Sequence, residues 1–229
     1  MPRSLQPRGG STPSGTTKHT VLPRDVVDEV RRSTRPAAQQ DTLARLGRAI
    51  ELLEREDPKA ALAEAEKAKR LSSRSASVRE VLGLAYYGQG RWREALTELK
   101  AYKRITGRND QNHLIADSLR GIGRPAEAVP LADEAIRDRS VSNEVKAEVI
   151  VVAAAALADD GRFAEALAFL GRARTKDDIA EPYTLRLWYV KADILERAGR
   201  TREAAIEFKK ILRHDTSAFD AAERLAKLG

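Results

Sequence analysis

Apolar residues along this chain recur every three or four positions, and the pattern starts and stops several times. "PRDVVDEVRRS" puts Val26, Val27 and Val30 on one face of a short helix, which Arg35-Pro36 then breaks. After Gln40 the whole chain keeps the helical period. The longest apolar run, "VIVVAAAALA" from Val149 to Ala158, falls short of the roughly 18 residues that span a membrane and reads as a buried helix. Ala218 to Leu228 predicts one more amphipathic helix at the end.

The helical pattern also repeats. "GRWREA" at Gly90 returns as "GRPAEA" at Gly123, "GRFAEA" at Gly161 and "GRTREA" at Gly199, with spacings of 33, 38 and 38. Counting back by 34 reaches Glu56, followed by "DPKAALAEAEKA", in which Ala61 takes the motif's alanine place. Five units of two amphipathic helices each predict an all-α solenoid. The glycine is expected to end each first helix in a left-handed conformation that is cheap only without a side chain. Pro130 predicts a kink or late start in the second helix of the third unit, and Pro182 marks a helix start.

Unit two carries Leu82-Gly83, Tyr86, Gly90, Ala95, Leu99 and Tyr102, a pattern that resembles the tetratricopeptide repeat (TPR) family. The other units match it through Ala49/Leu52/Ala61, Ala116/Leu119/Ala128, Ala154/Leu157/Ala166 and Ala192/Leu195/Ala204/Phe208. The resemblance covers about residues 42 to 216 and implies a right-handed superhelix of about five units with a C-terminal capping helix. With 29 Arg against 12 Lys, the chain also resembles actinobacterial members of the family. The expected organisation is a disordered basic tail over 1–22, a short helix and linker over 23–40, and the repeats over 41–229.

Charge alters this picture locally. The net charge is +7, but residues 1 to 24 hold Arg3, Arg8, Lys18 and Arg24 with no acid. Between Lys67 and Arg108, 11 Lys/Arg face only Glu80, Glu94 and Glu98, which leaves the rest of the chain slightly acidic. There is no cysteine, so disulfides, thiolate metal sites and cysteine nucleophiles are excluded. The N-terminus lacks the apolar stretch of a signal peptide, and the expected location is the cytoplasm.

Little here predicts catalysis. His19, His113 and His214 have no His or Cys at ligand spacing, so no metal or other cofactor is expected. "GIGRPAEA" ends a helix rather than following a strand, which fails the context test for a phosphate loop. Asp159-Asp160 and Asp177-Asp178 fall at helix ends, where capping and surface roles are expected. The chain reads as a non-enzyme.

The resemblance implies a concave groove lined by the first helices, with a protein or peptide partner. Carried over by position, the groove residues are Leu46, Ile50 and Leu53 in unit one and Glu80, Leu84 and Tyr87 in unit two. Unit three gives His113, Asp117 and Arg120, and unit five gives Arg186, Tyr189 and Asp193. The Lys and Asn clamp by which some family members hold acidic chaperone tails has no counterpart among them. Unit one's side is plainly apolar; its occupant is a partner helix, the helix of Pro23 to Ser33, or a second copy of the chain. The alternative partner is RNA or a ribosome, held by the tail and a basic surface. That surface comprises Lys67, Lys69, Arg70, Arg91, Arg93, Lys100, Lys103, Arg104 and Arg108, with Lys100, Lys103 and Arg104 facing outward together.

Overall fold

The computed structural model describes residues 22–173 and 181–228, which form twelve α-helices and one 3-10 turn. Residues 1–21 of the expected tail, His19 and the Asp177-Asp178 pair lie outside the described residues. Helix α1 (Arg24–Ser33) precedes five hairpins. These are α2 (Pro36–Glu54) with α3 (Pro58–Leu71), α4 (Ala76–Gly88) with α5 (Trp92–Thr106), and α6 (Asn112–Gly121) with α7 (Ala128–Arg137). Next come α8 (Asn143–Asp159) with α9 (Phe163–Leu170), and α10 (Pro182–Arg197) with α11 (Thr201–His214). Helix α12 (Ala221–Lys227) closes the array. No described helix is long and apolar enough to cross a membrane.

The repeated motif is a hinge. Gly90, Gly123, Gly161 and Gly199 all take positive φ, between 68° and 79°, and Glu56 takes the same conformation at φ 57° where unit one lacks the glycine. The Arg and Glu of each motif pair across the first turn of the second helix, as Arg91–Glu94, Arg124–Glu127, Arg162–Glu165 and Arg200–Glu203. The motif's alanines (Ala61, Ala95, Ala128, Ala166 and Ala204) are fully buried, which lets the two helices close on each other. At Gly83 the approach is close: an added Cβ would stand 2.6 Å from Leu99 Cγ.

Two boundaries differ from the sequence expectation. Helix α2 begins at Pro36 rather than near residue 41, because proline at the first helical position sacrifices no intrahelical hydrogen bond. The last helix is limited to Ala221–Lys227, since Phe219 adopts φ 56° and interrupts the stretch begun at Ala218. Around Pro130, the second helix of unit three starts late, at Ala128, after the 3-10 turn Pro125–Glu127.

Helices of successive units stand side by side, α2 beside α4 and α8 between α6 and α10. The core has two large parts. One joins α1 to α4 around Leu46, Leu62, Val78 and Leu82; the other runs from α7 to α12 around Val149, Trp188, Ile194 and Phe208. Smaller clusters around Leu99, Ile115, Leu119 and Val152 bridge them.

Candidate functional site

The face made by α2, α4, α6, α8 and α10 is covered at its two ends by the chain itself. At the first end, α1 packs on α2 and α4. Val30 is fully buried there, Val26 and Leu22 pack beside it, and Leu46, Ile50 and Leu53 belong to the same cluster. The Glu29 carboxylate accepts hydrogen bonds from Ser75 Oγ (2.7 Å), Ala76 N (2.9 Å) and Ser77 N (3.2 Å), so it caps the start of α4. Leu46, one of the apolar groove residues, is therefore core, and its cover is the helix of Pro23 to Ser33.

At the other end α12 covers α10. The Tyr189 hydroxyl, at the end of a side chain only 3% exposed, donates to Asp220 of the turn before α12. Its ring stacks on Phe219 with centroids 4.5 Å apart. Burial and the Asp220 carboxylate push the Tyr189 hydroxyl up to about 12. Arg224 of α12 meets Asp193 (2.9 Å) and Glu196 (2.7 Å) and lies over the Phe208 and Tyr189 rings. Tyr189 and Asp193 thus hold the cap and are not free lining of the groove. The periodic pattern places them on the right face of α10, but it carries no information about what lies on top.

Between these covers, α4, α6 and α8 present a partly exposed polar strip. Its residues join unit to unit. Tyr87 donates to Asp117 at 2.6 Å, and Asp117 accepts from Arg120 at 2.7 Å. Arg120 also reaches Asp159 at 2.8 Å, and Arg197 reaches the other Asp159 oxygen at 3.2 Å. Arg197 then stands 3.7 Å from Asp193, which links the strip to the Arg224 knot. A parallel set lies about two to three turns nearer the helix starts, where Gln111 donates to Glu80 at 2.7 Å and Arg186 pairs with Glu148 at 3.0 Å. Glu148, Asp159, Glu196 and Arg197 complete these pairs. Glu148, Asp159, Glu196 and Arg197 all occupy groove-facing register positions, and that register is the signal that finds them.

Burial sets the protonation of this strip. It raises the Glu148 and Glu80 carboxyls above the usual range, against the opposing pull of Arg186 on the first and Gln111 on the second. It lowers His113, which is therefore neutral at pH 7, with Asp110 and Asp117 opposing. It raises the Tyr87 hydroxyl, and Asp117 adds to the effect. A tyrosine held protonated acts as a hydrogen-bond donor rather than as an activated nucleophile. The strip carries both signs of charge and one hydroxyl, each already bonded to a neighbour within the strip. Among the described residues no three His, Cys, Asp or Glu side chains gather as metal ligands.

The basic surface resolves into two groups. Lys67 pairs with Glu64, Lys69 with the buried Glu98, Arg91 with Glu94 and Arg108 with Asp110. Lys103 turns toward Glu134 and Asn112 and does not share the outward face of Lys100 and Arg104, because the α6–α7 hairpin offers it an acid and an amide. Arg70, Arg93, Lys100 and Arg104 are exposed and form no ion pair among the described residues.

A family model described as "Tetratricopeptide repeat" matches residues 46–110 and 151–221, and one described as "Tetratrico peptide repeat" matches 103–177. No curated protein matches the chain significantly. Among solved structures, TTC0263, a thermophilic TPR protein of Thermus thermophilus, is similar with a TM-score of 0.63 at 18% identity, over 82% of this chain and 98% of that one. YrrB, a TPR protein with an unusual peptide-binding site, gives 0.56 at 18% identity over 88% and 97%. The human IFIT1 dimer with m7Gppp-AAAA gives 0.58 at 16% identity over 82% of this chain and 46% of that one. At these identities the likeness is one of fold.

Proposed function

Because the chain belongs to the tetratricopeptide repeat family, we propose that it is a non-catalytic scaffold that binds a short segment of a partner protein. The segment lies across α4, α6 and α8. One observation supports this reading: α1 and α12 cover the two ends of this face, while Leu84, Tyr87, His113, Asp117, Arg120, Glu148 and Arg186 between them stay partly exposed. Helices α6 and α8 pack directly, while α4 reaches α6 through Tyr87–Asp117 and Glu80–Gln111, so the strip is at least roughly 20 Å long, room for about six or more extended residues. The paired charges favour a segment that carries both signs, since it exchanges one set of partners for another without stranding a charge. YrrB, a TPR protein of similar fold, has a peptide-binding site, which supports a peptide as the ligand class.

Selection of peptides from a random library against the full chain tests the proposal. Enriched peptides are expected to lose about tenfold or more in affinity on Tyr87→Ala or Arg186→Ala, and to keep it on Lys100→Glu. Failure to enrich any peptide, or peptides indifferent to both groove substitutions, would rule it out.

A second reading has its own observation. Arg93, Lys100 and Arg104 lie on one exposed face of α5 over about 16 Å, unpaired among the described residues, while neighbouring cations are paired. This stripe fits the phosphates of a single RNA strand. With three phosphates engaged, log affinity is expected to fall against log salt with a slope of about −2. The double substitution Lys100→Glu and Arg104→Glu is expected to abolish binding, and unchanged binding rules the stripe out.

A further inference from the structure

Helix α1 stands apart from the hairpins that follow it. Thr34 and Arg35 link it to α2 in extended conformation, and of its ten residues Val30 alone is fully buried. Yet its seat is built in detail. Leu46 and Val78, both fully buried, belong to the cluster that receives Val30 and Val26. The first backbone N–H groups of α4, Ala76 and Ser77, point at the Glu29 carboxylate together with the Ser75 hydroxyl. Thr34 closes the arrangement by donating to Ser72 at 2.6 Å, and Gln39 satisfies the carbonyl of Arg31.

These features define what the seat recognises. It takes a helix with an aliphatic residue at one position, a glutamate three further on and an aliphatic residue next to that, as in Val26, Glu29 and Val30. Nothing in this recognition requires the helix to be covalently joined to α2. The donors and apolar wall belong to α2, α3 and α4, which the repeats hold in place independently of α1. An empty seat would expose apolar surface and turn α4's first amides to water, so a matching helix is favoured there whenever α1 is displaced.

We propose that the seat on α2 and α4 is a second protein-binding site, distinct from the open groove, at which α1 is the resident ligand and a partner's amphipathic helix of the same aliphatic-x-x-Glu-aliphatic chemistry replaces it. The linkage of α1 to the chain gives it a local-concentration advantage, so a partner helix needs either higher affinity or a weakened α1. Failure of the open-groove proposal leaves this one standing, because the two sites share none of the residues to be tested.

The test uses the full chain and a fluorescein-labelled peptide of residues 22–35. Two proteins are compared by anisotropy, the wild type and the double variant Val26→Ser, Val30→Ser, whose α1 is weakened. The variant is expected to bind the peptide at least tenfold more tightly than the wild type. A peptide carrying Glu29→Ala is expected to lose about tenfold on the same variant. A second measurement needs no substitution: in the wild type, excess peptide is expected to speed amide exchange of α1 while the amides of α4 keep their protection. A folded variant with no gain in affinity overturns the proposal. So does an α1 whose exchange is as slow as that of α4 and indifferent to peptide, and this result decides the matter if the variant does not fold.

Discussion

The two ends of the groove are closed by different chemistry. At the α1 end, a fully buried valine, flanking Val26 and Leu22, and one carboxylate on helix-start amides hold a helix whose other charged side chains face water. At the α12 end, a seven-residue helix is held by an arginine that meets two carboxylates and two aromatic rings, beside a tyrosine bound to Asp220. The first closure rests on an apolar seat and on hydrogen bonds that converge on one carboxylate. The second rests on an interlocked polar network, in which removing one partner strands the others. The proposed exchange of α1 depends on this contrast, because a cover of the first kind offers a seat that another helix can match and one of the second kind does not.

The largest expected effect tests the second closure. Arg224→Ala leaves Asp193, Glu196 and Tyr189 without their shared partner. Breaking a mostly buried pair costs about 3–5 kcal/mol, and partial exposure of the two acids reduces this to about 2–3 kcal/mol. Thermal unfolding followed by circular dichroism is expected to register it as a lower Tm, and an unchanged Tm would dissolve the contrast between the ends.

Gly83→Ala comes next and addresses the hairpin between them. Its Cβ would meet Leu99, which has no exposed surface into which to retreat, so overpacking is expected to cost about 1–3 kcal/mol in a urea titration. A neutral result would mean that α4 and α5 separate at little cost.

A pH titration sharpens the comparison from the α1 side. Burial tends to raise Glu29, but the hydrogen bonds from Ser75, Ala76 and Ser77 outweigh it and hold the carboxyl below the ordinary 4.5. A lowered carboxyl stabilises docking fully above that value, and the stabilisation is lost as pH falls through the docked value. The chain has no cysteine, so Asp28→Cys permits a single fluorophore on the exposed face of α1. Its anisotropy is expected to fall below about pH 4.5 before the helical signal of the repeats does. Simultaneous loss would show that α1 is as integral as α12.

The smallest effect belongs to the repeated motif itself. Arg162→Ala removes an ion pair whose members are both exposed, and no measurable change in Tm is expected. A clear drop would give the motif's charges a structural role that their exposure argues against.

Much of this architecture could be read along the chain, and particular residues show why. Gly90, Gly123, Gly161 and Gly199 mark hinges because each conformation depends on a few neighbouring residues. Pro130 signals the late start of α7 for the same local reason. The helical period likewise places Ala95, Leu99 and Tyr102 inside. The site was legible only as a set of positions. Leu46 and Tyr189 sit on the expected faces of α2 and α10, yet covers from opposite ends of the chain bury them. Lys103 and Arg104 are adjacent in sequence, and only the fold assigns one to Glu134 and leaves the other exposed.

The sequence by itself determined the all-α class, the repeat register, the hinge positions and the inward face of most helices. Periodicity and turn chemistry act over a few residues, and the chain spells them out five times. Tertiary structure alone decided which residues of this face lie under α1 and α12 and which charges are already paired. Those outcomes depend on partners about 30 to 40 residues apart, such as Tyr87 with Asp117 and Arg120 with Asp159, whose meeting is fixed by how one hairpin stacks on the next.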